Sequence, residues 1–526
     1  MSLLKEQRHF YFQHVLLILQ HNLNSLNMLR KIRITIATIF LIAITMLFLD
    51  FTGIAHAWCG WMAEIQFLPA LLALNIGGIA FLVVLTLLFG RIYCSVICPL
   101  GIFQDIISWI SGKRRKKKAR FTYSPAKKWW RYITLALFFI AIIGGFTAIA
   151  SIIAPYSTYG RIVSALFVPI YQWGNNLLAY FAERANSYTF YRVDVWIKSI
   201  TTLVIASISV IALIILAWRN GRTYCNTICP VGTILGFLSK YSLFRPIIDT
   251  TKCNGCSLCS RKCKASCIDS KNHAIDYSRC VACMDCVSNC RQGAIKYSYR
   301  RQKSVVTDNK PNDNRRAFLS LSAIIATTFL VDAKKGRRKR RKNKVDGGLA
   351  IILDKKIPSR NTPIIPAGAI SHKHLSQHCT TCQLCISACP NQVLRPSNDI
   401  ATLMQPEISY ERGYCRPECT QCANVCPSNA ITPISVEEKS SIQIGRAVWI
   451  KENCIASAEG VKCGNCARHC PTGAIIMVEQ KDNPDAPKIP VVNTERCIGC
   501  GACENLCPVR PFSAIYVEGN KVHHTI

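Results

Sequence analysis

The sequence is poor in acidic residues: 29 Asp and Glu stand against 64 Lys and Arg in 526 residues, a formal net charge of +35. Such an excess is typical of proteins that bind nucleic acid or an anionic membrane surface. No recognised nucleic-acid-binding fold accompanies the basic residues, so we expect no nucleic-acid partner. The chain also has no motif resembling a substrate pocket or an acid–base pair, so any chemistry must come from bound cofactors.

Cysteine, in contrast, is abundant, with 30 residues, and half of all residues are apolar. Secreted disulfide scaffolds are usually short, whereas these cysteines fall in tight, regularly spaced groups of four, a pattern typical of metal centres. The high apolar fraction predicts a membrane part beside a water-soluble part.

Four stretches are apolar enough to cross a bilayer, for which about 20 residues are needed: residues 34–49, 67–90, 133–154 and 200–218. Basic residues are dense before the first stretch and between the second and third, but few lie at residues 155–198. The positive-inside rule therefore places the N-terminus, the second connection and the end of the fourth span in the cytoplasm.

The membrane part contains a repeat. "GRIYCSVICPLG" follows the second span and "GRTYCNTICPVG" follows the fourth, so each half ends in a CxxxCP element. Four-residue spacing puts both cysteines of an element on one helical face if the segment is helical. We predict a redox or cofactor-binding role, as one shared centre or as dithiols, for Cys94, Cys98, Cys225 and Cys229.

The predicted topology places two aromatic-rich stretches on the non-cytoplasmic face of the membrane. They are "HAWCGW", which also contains His56 and Cys59, and "PYSTYGR". We interpret Trp58, Trp61, Tyr156 and Tyr159 as an interface belt, with quinol binding as the alternative. The sequence assigns no role to Cys59.

The first soluble block has two CxxCxxCxxxC motifs, "CNGCSLCSRKC" and "CVACMDCVSNC". Three cysteines at this spacing surround one 4Fe-4S cluster, and the fourth usually serves the partner cluster; zinc sites favour separated pairs. Cys267 is either a spare thiol or the true fourth ligand in place of Cys263. The predicted sets are Cys253, Cys256, Cys259 with Cys290, and Cys280, Cys283, Cys286 with Cys263.

The second soluble block has four further sets, of which the first and last are regular. A short apolar run, such as "NAITPI", "GAIIMVE" or "FSAIYVEG", follows most sets and predicts a strand. The order of regular and irregular sets suggests nested sharing of fourth ligands, outer with outer and inner with inner. The sets are Cys379, Cys382, Cys385, Cys389; Cys415, Cys419, Cys422, Cys426; Cys454, Cys463, Cys466, Cys470; and Cys497, Cys500, Cys503, Cys507.

Together these motifs resemble two families that usually occur as separate chains. The spans, the CxxxCP elements and the two-cluster ferredoxin resemble NapH-type membrane proteins of quinol dehydrogenases. The segment from Asn314, with "NRRAFL" and four cluster sets, resembles NapG-type or MauM-type ferredoxins. The resemblance implies a fusion in which the twin-arginine signal at Arg315 and Arg316 is the former N-terminus of the second protein.

The resemblance implies four domains: an α-helical membrane domain at 1–245, with four spans; a two-cluster ferredoxin at 246–301; a linker at 302–345, where residues 317–333 form a possible fifth span; and a four-cluster ferredoxin at 346–526. The ferredoxin modules are expected to have an α+β fold. The basic run "KKGRRKRRKNK" opposes export of the last domain by the unfolded-chain route but is compatible with twin-arginine transport.

Two functions follow. The first is an inner-membrane electron-transfer subunit of a quinol dehydrogenase, which passes electrons from quinol through six 4Fe-4S clusters to a partner reductase. Its first ferredoxin would be cytoplasmic and its C-terminal ferredoxin periplasmic. The alternative is a maturation or regulatory polyferredoxin that supplies reducing equivalents for the assembly of another metalloenzyme.

Overall fold

The computed structural model describes residues 26–50, 53–114, 121–187, 189–300, 345–346, 350–351, 353–480 and 486–526. The twin-arginine stretch, the predicted fifth span and the basic run at 334–344 lie outside the described residues. The predictions made for them are therefore not tested by the structure.

The N-terminal part is helical. Its α-helices are α1 Leu26–Leu49, α2 Ile54–Cys59, α3 Trp61–Glu64, α4 Phe67–Leu72, α5 Ile76–Phe89, α6 Tyr93–Val96, α7 Pro99–Arg114, α8 Lys128–Ile143, α9 Thr147–Ile153, α10 Pro155–Ile162, α11 Val168–Arg184, α12 Ile200–Asn220, α13 Thr223–Thr227 and α14 Pro230–Ser239. A π-helical turn, Val163–Phe167, joins α10 to α11.

Two of the described helices, Met28–Leu49 and Ile200–Asn220, are long and apolar enough to cross a membrane. The predicted span at 67–90 is divided between α4 and α5 by Leu74, whose φ is 51°, and by the Asn75 cap, which accepts a hydrogen bond from Gly78 N at 2.9 Å. The predicted span at 133–154 is divided between α8 and α9 at Gly145, whose φ is 77°. Apolarity alone predicted both stretches, and it carries no information about such breaks.

The outward surface of this helical part is nevertheless apolar. Phe81 and Val84 on α5 are half exposed, and Leu137, Ile140 and Ile143 on α8 are more exposed still. An apolar surface of this extent is what a lipid environment would cover.

The first soluble block is held together by strand β1 Phe244–Ile248, which pairs antiparallel with β4 Ile295–Tyr299. Between them lie α15 Leu258–Lys262, β2 Ile268–Asp269, β3 Ala274–Ile275 and α16 Asp285–Ser288. The Tyr297 hydroxyl donates to Phe89 O at 2.9 Å, so this block lies at the α5 end of the helical part.

The C-terminal block contains short helices and paired strands. Its elements are β5 Val345–Asp346, β6 Ala350–Ile351, α17 His372–His378, α18 Leu384–Ala388, β7 Leu394–Pro396, β8 Pro406–Ile408, α19 Gln421–Asn424, α20 Val436–Ser441, β9 Ile442–Trp449, α21 Ile455–Ala458, α22 Asn465–Arg468, β10 Ile475–Val478, β11 Ile489–Val492, α23 Ala502–Leu506 and β12 Ile515–Thr525. A 3-10 turn, Lys451–Asn453, precedes α21.

The longest sheet pairs β9 with β12 antiparallel, with Ile515 opposite Trp449. The runs "GAIIMVE" and "FSAIYVEG" form strands β10 and β12, as predicted. The run "NAITPI" does not, so that prediction was wrong. In this run the backbone N–H and the hydroxyl of Thr432 both donate to Gly368 O, at 3.0 and 2.8 Å, as a contact between two loops.

The C-terminal block rests on the end of the helical part opposite to the first soluble block. Ser151 Oγ and Thr381 Oγ1 are 2.6 Å apart, Ser164 Oγ donates to Gln383 Oε1 at 2.7 Å, and Thr147 also bonds to Ser376. One core cluster of buried residues runs from the helices into the C-terminal block. The molecule therefore has a helical middle with a cysteine-rich block at each end.

Candidate iron-sulfur centres

Two thiol-lined cavities lie in the first soluble block. Site 1 is lined by three cysteines of the first motif and one of the second: Cys253, Cys256, Cys259 and Cys290. Site 2 is lined by Cys280, Cys283 and Cys286 with Cys263, and also by Cys267. Each motif thus places its fourth cysteine at the partner cavity.

Cys267 is a fifth thiol at site 2. Its Sγ lies 3.5 Å from Cys263 Sγ. The hydrogen bond from Cys267 lowers the pKa of Cys263 to about 7, while the same bond raises the pKa of Cys267. Because the thiolate is the metal ligand, the opposite directions of the two pKa shifts favour Cys263 as the ligand and Cys267 as a hydrogen-bond donor to its sulfur.

In the C-terminal block, fourth cysteines are exchanged between neighbouring sets. Site 4 is lined by Cys415, Cys419 and Cys422 with Cys389, and site 6 by Cys497, Cys500 and Cys503 with Cys470. Nested sharing, outer with outer and inner with inner, was therefore wrong. Sets that are adjacent in sequence fold together as pairs, and the order of regular and irregular spacings carries no information about this.

The reciprocal sets complete the two pairs. Site 3 consists of Cys379, Cys382 and Cys385 with Cys426, which interacts electrostatically with all three. Site 5 consists of Cys454, Cys463 and Cys466 with Cys507. Burial raises the pKa of Cys382 and of Cys466 to about 11, so neither is a free thiolate at neutral pH without a bound cation or metal.

The four regular motifs share a backbone conformation that the sequence did not reveal. The residues just before and just after the second cysteine have positive φ in each: Gly255 and Ser257, Ala282 and Met284, Thr381 and Gln383, Gly499 and Gly501. Most of these residues are not glycine, so the conformation is strained, as is common where a loop surrounds a ligand.

Among the described residues, no three His, Cys, Asp or Glu side chains converge closely enough to hold a single metal ion. The thiols instead surround cavities, as at sites 1, 2, 4 and 6. Four cysteines around a cavity suit a multi-iron cluster better than a single tetrahedral zinc ion. The donor sets therefore fit the 4Fe-4S group.

The two CxxxCP elements meet inside the helical part. We call Cys94, Cys98, Cys225 and Cys229 the CxxxCP quartet; all four are buried. The cysteines of one element do not share one helix, since α6 ends at Val96 and α7 begins at Pro99. The pair Cys225 and Cys229 is divided in the same way, because Pro230 begins α14.

The two repeats exchange arginines. Arg91, from the first repeat, donates through Nη2 to Cys225 O at 3.0 Å and approaches Cys94 Sγ at 3.7 Å. Arg222, from the second repeat, donates to Cys94 O at 2.5 Å. Both arginines were visible in the "GRIYC" and "GRTYC" repeats, but spacing alone did not indicate that each serves the other repeat.

Positive charge is in excess in the region between the CxxxCP quartet and site 2. The Asp105 carboxylate forms ion pairs with Arg222 at 2.8 Å, Arg33 at 3.1 Å and Lys264 at 3.4 Å. The Asp285 carboxylate forms ion pairs with Arg30 and with the same Lys264. Four cations therefore share two carboxylates. Arg91, fully buried, has no carboxylate partner among the described residues and bonds to Asn226 Oδ1 and Ser278 O. Buried cations of this kind require a nearby anion.

Tyr156 and Tyr159 are not in an interface belt. They are 1% and 2% exposed, on α10, whose eight residues are all buried against α7, α12 and the C-terminal block. Phe48 packs on Tyr156 with ring centroids 6.2 Å apart, and Phe103 packs on Tyr159 at 6.5 Å. Trp58 and Trp61 are exposed, 80% and 50%, as a belt requires. An aromatic-rich loop pattern does not distinguish lipid contact from domain contact.

Comparison with known proteins places iron–sulfur chemistry in both parts of the chain. A family model described as a 4Fe-4S binding domain matches residues 71–118 and 202–250, the two segments that contain the CxxxCP elements. A model described as a 4Fe-4S dicluster domain matches residues 454–510. No solved structure matches the chain.

Three curated relatives are informative. The chain is 31% identical over 163 residues to the methylamine utilization ferredoxin-type protein MauM of Methylophilus methylotrophus, which is 30% of this chain and 71% of that protein. It is 29% identical over 174 residues to the ferredoxin-type protein NapG of Escherichia coli, 30% of this chain and 74% of NapG. NapF of the same organism is 29% identical over 177 residues, 34% of this chain and 99% of NapF. The chain belongs to the MauM family of ferredoxin-type proteins and is an iron–sulfur electron-transfer protein.

Proposed function

We propose that this protein is a membrane-bound electron carrier that takes electrons from membrane quinol and delivers them through 4Fe-4S clusters to a partner reductase. A single observation carries the proposal: site 2, the CxxxCP quartet and site 3 succeed one another from one end of the molecule to the other. Bound clusters supply one-electron uptake and release; the chain's residues hold them in this order.

The contacts between site 2 and the CxxxCP quartet are direct. Arg91 bonds both to Cys225 O and to Ser278 O, two residues before Cys280 of site 2. Arg222 N–H donates to Lys264 O at 2.9 Å, next to Cys263. The arginines that join the two repeats thus also hold the first ferredoxin against them.

The path from the CxxxCP quartet towards site 3 is lined by aromatic side chains. The Tyr224 hydroxyl, beside Cys225, donates to Ile153 O at 2.7 Å, at the end of α9. Tyr156 follows on α10, and its hydroxyl has no hydrogen-bond partner. The Tyr156 side chain lies close enough to Cys382 and Cys426 of site 3 to interact with both electrostatically.

We further propose that the CxxxCP quartet holds one centre shared by both repeats. The fully buried Arg91 beside it, which has no carboxylate partner among the described residues, supports an anionic occupant, and a 4Fe-4S centre with four thiolate ligands carries a net charge of about −2. Four thiols that titrate separately as dithiols would leave Arg91 without an anion.

The membrane arrangement belongs to the same proposal. Four NapH-type spans, two of them broken, would place the first ferredoxin, 246–301, in the cytoplasm and the 346–526 block outside it. The apolar outer surface of α5 and α8 and the contact of the C-terminal block with the connection at 155–198 support this arrangement.

Quinol-dependent reduction of the purified, anaerobic full-length protein tests the proposal. We expect the double variant Cys94→Ser/Cys225→Ser to lose reduction by a quinol analogue, while dithionite still reduces the ferredoxin clusters. Cys59→Ser, at a half-buried cysteine outside every set, is the matched control and should keep the native rate. Native quinol-linked reduction in the double variant would refute the role of the CxxxCP quartet.

The same assay separates the alternative function. An electron-transfer subunit should be re-reduced by quinol at a rate comparable with the turnover of its partner reductase. A maturation or regulatory polyferredoxin has no such requirement, and re-reduction orders of magnitude slower than any partner's turnover would favour that function.

A further inference from the structure

Arg161 is a fully buried cation at the junction between the helical part and the C-terminal block. It lies on α10, and its exposed fraction is 0%. Its guanidinium donates to Thr381 Oγ1 at 3.2 Å, to Ser151 O and Ile152 O at 3.1 Å, and to Thr158 Oγ1 at 3.2 Å. Its Nε has no hydrogen-bond partner.

Every acceptor of Arg161 is a neutral oxygen. In the part of the chain that the structure describes, no carboxylate forms an ion pair with it. An isolated buried charge is strongly unfavourable, and buried charges in native proteins are paired or lie beside a metal centre. The junction must therefore contain an anion that no carboxylate supplies.

Site 3 is directly beside this guanidinium. Thr381, whose hydroxyl accepts a hydrogen bond from Arg161, lies between Cys379 and Cys382 in the chain. The backbone N–H of Thr381 approaches Cys379 Sγ at 3.4 Å. Gly160, next to Arg161, touches this loop so closely that a methyl group there would collide with Cys382 O. Loop and helix are thus in backbone contact.

A second cation from the helical part, Lys198, contacts the loop and helix that carry the site 3 cysteines. Lys198 donates to Ile386 O at 2.7 Å, one residue after Cys385. At sites 4 and 5 the equivalent cations come from the C-terminal block itself: Lys439 donates to Arg416 O at 2.6 Å, and Lys355 donates to Asn505 O at 2.7 Å, near Cys507. Lys198 thus lies between Cys389 of site 4 and Cys385 of site 3, whereas Arg161 interacts with Cys382 of site 3.

We propose that Arg161 is the counter-charge of the iron–sulfur cluster at site 3, and that through it the helical part sets the reduction potential of that cluster. The inference rests on the proposed function only in requiring that site 3 binds a cluster. Arg161 holds no ligand position; it is a positioning and electrostatic residue.

The direction of the effect follows from electrostatics. Reduction adds one negative charge to the cluster, and a fixed cation nearby in a water-excluded environment stabilises the reduced form more than the oxidised form. Net charge and hydrogen bonding are among the factors that set cluster potentials. Arg161 therefore raises the potential of site 3, which favours electron acceptance at the C-terminal site nearest the membrane part.

A redox titration of the anaerobic full-length protein, followed by electron paramagnetic resonance, tests this. Arg161→Met should lower the midpoint potential of one cluster and leave the others unchanged, whereas Arg161→Lys, which keeps the charge, should stay near the native value. Arg192→Gln, at an exposed arginine paired with Glu183, is the control for loss of one positive charge. Lys439→Gln should shift a different cluster, at site 4.

The cluster is assigned by Cys382→Ser, which should remove its signal. If the Arg161→Met variant does not retain that cluster, the Arg161→His variant is titrated instead. The potential of site 3 in that variant should rise as the pH falls and the histidine becomes charged, and this rise should be larger than in the native protein. A native potential in Arg161→Met, or a native pH dependence in Arg161→His, would refute the inference. Native iron content and native signals in Cys382→Ser would instead refute the cluster assignment and thus the proposed function.

Discussion

Cys267 shows how much depends on single atoms at this molecule's sites. Spacing left open whether Cys263 or Cys267 is the fourth ligand of site 2, and both thiols line its cavity, 3.5 Å apart. The pKa of Cys263 is lowered and that of Cys267 is raised, which favours Cys263 as the thiolate ligand and Cys267 as the hydrogen-bond donor.

The two roles predict different iron contents for the Cys263 and Cys267 variants. Cys263→Ser should lose one cluster, about four of the roughly twenty-four iron atoms expected for six 4Fe-4S centres. Cys267→Ser should keep its iron, because Ser can still donate a hydrogen bond, and change only the potential of that cluster. Iron and acid-labile sulfide analysis decides the matter. Iron retained in Cys263→Ser would show that Cys267 can take its place as the ligand, and iron lost in Cys267→Ser would contradict the role of Cys267 as a hydrogen-bond donor only.

Gly101 makes a second prediction at this scale. It lies on α7 directly behind Cys98-Pro99, where a methyl group would collide with Cys94 O and crowd Arg222. Gly101→Ala should therefore destabilise the protein by about 1–3 kcal/mol, the typical cost of overpacking, and lower quinol-linked reduction. Gly174→Ala is the matched helical control, with nothing within 4 Å. The midpoint of thermal unfolding in detergent is measured for both variants, and equal midpoints would contradict the predicted collision.

At the scale of elements, the β9–β12 sheet closes the C-terminal block and carries a half-buried histidine, His523. Its backbone N–H donates to Ile370 O at 2.8 Å, and neither ring nitrogen of His523 has a partner. Burial, reinforced by the neighbouring His372 and His524, lowers the pKa of His523 to about 4. The folded block therefore favours the neutral imidazole of His523.

This predicts a pH dependence of stability. The unfolded histidine has its ordinary pKa near 6.5, above the folded value. The stability contributed by the neutral ring is present above about pH 6.5 and is lost as the pH falls towards 4. Urea unfolding of the full chain followed by far-UV circular dichroism should show this loss, and His523→Gln should reduce it relative to His524→Gln. Identical pH profiles of the two variants would disprove the role of His523.

At the scale of the whole molecule, the contacts of the C-terminal block support a prediction of the side of the membrane on which it lies. It touches α9, α10 and the connection before α12, through Ser151, Ser164 and Lys198. The positive-inside rule predicts that this connection is outside the cytoplasm. We therefore propose that the docked block is exported.

Arg315 and Arg316 are the predicted export signal. Replacement of both by Lys should leave the helical part inserted and strand the 346–526 block in the cytoplasm. A cysteine-free reporter that is active only when exported, fused after Ile526, should be active in the native protein and inactive in the double variant. An inactive reporter on an intact, membrane-bound native fusion would instead place all six ferredoxin clusters in the cytoplasm.

The cysteine sets and the duplicated CxxxCP element could be predicted from the sequence alone, because ligand spacing within one loop is a local property of the chain. The same holds for the exchange of fourth ligands in the first ferredoxin, where only two motifs are available to pair. Iron–sulfur chemistry thus follows from the order of residues.

Only the tertiary structure decided which distant residues meet. It paired adjacent sets in the C-terminal block, broke two apolar stretches at Leu74 and Gly145, and buried Tyr156 and Tyr159 between domains. It also placed Arg161 against site 3 and exchanged Arg91 and Arg222 between the repeats. Such contacts join residues far apart in the chain, and packing and charge compensation select them in three dimensions, where local spacing and apolarity carry no information.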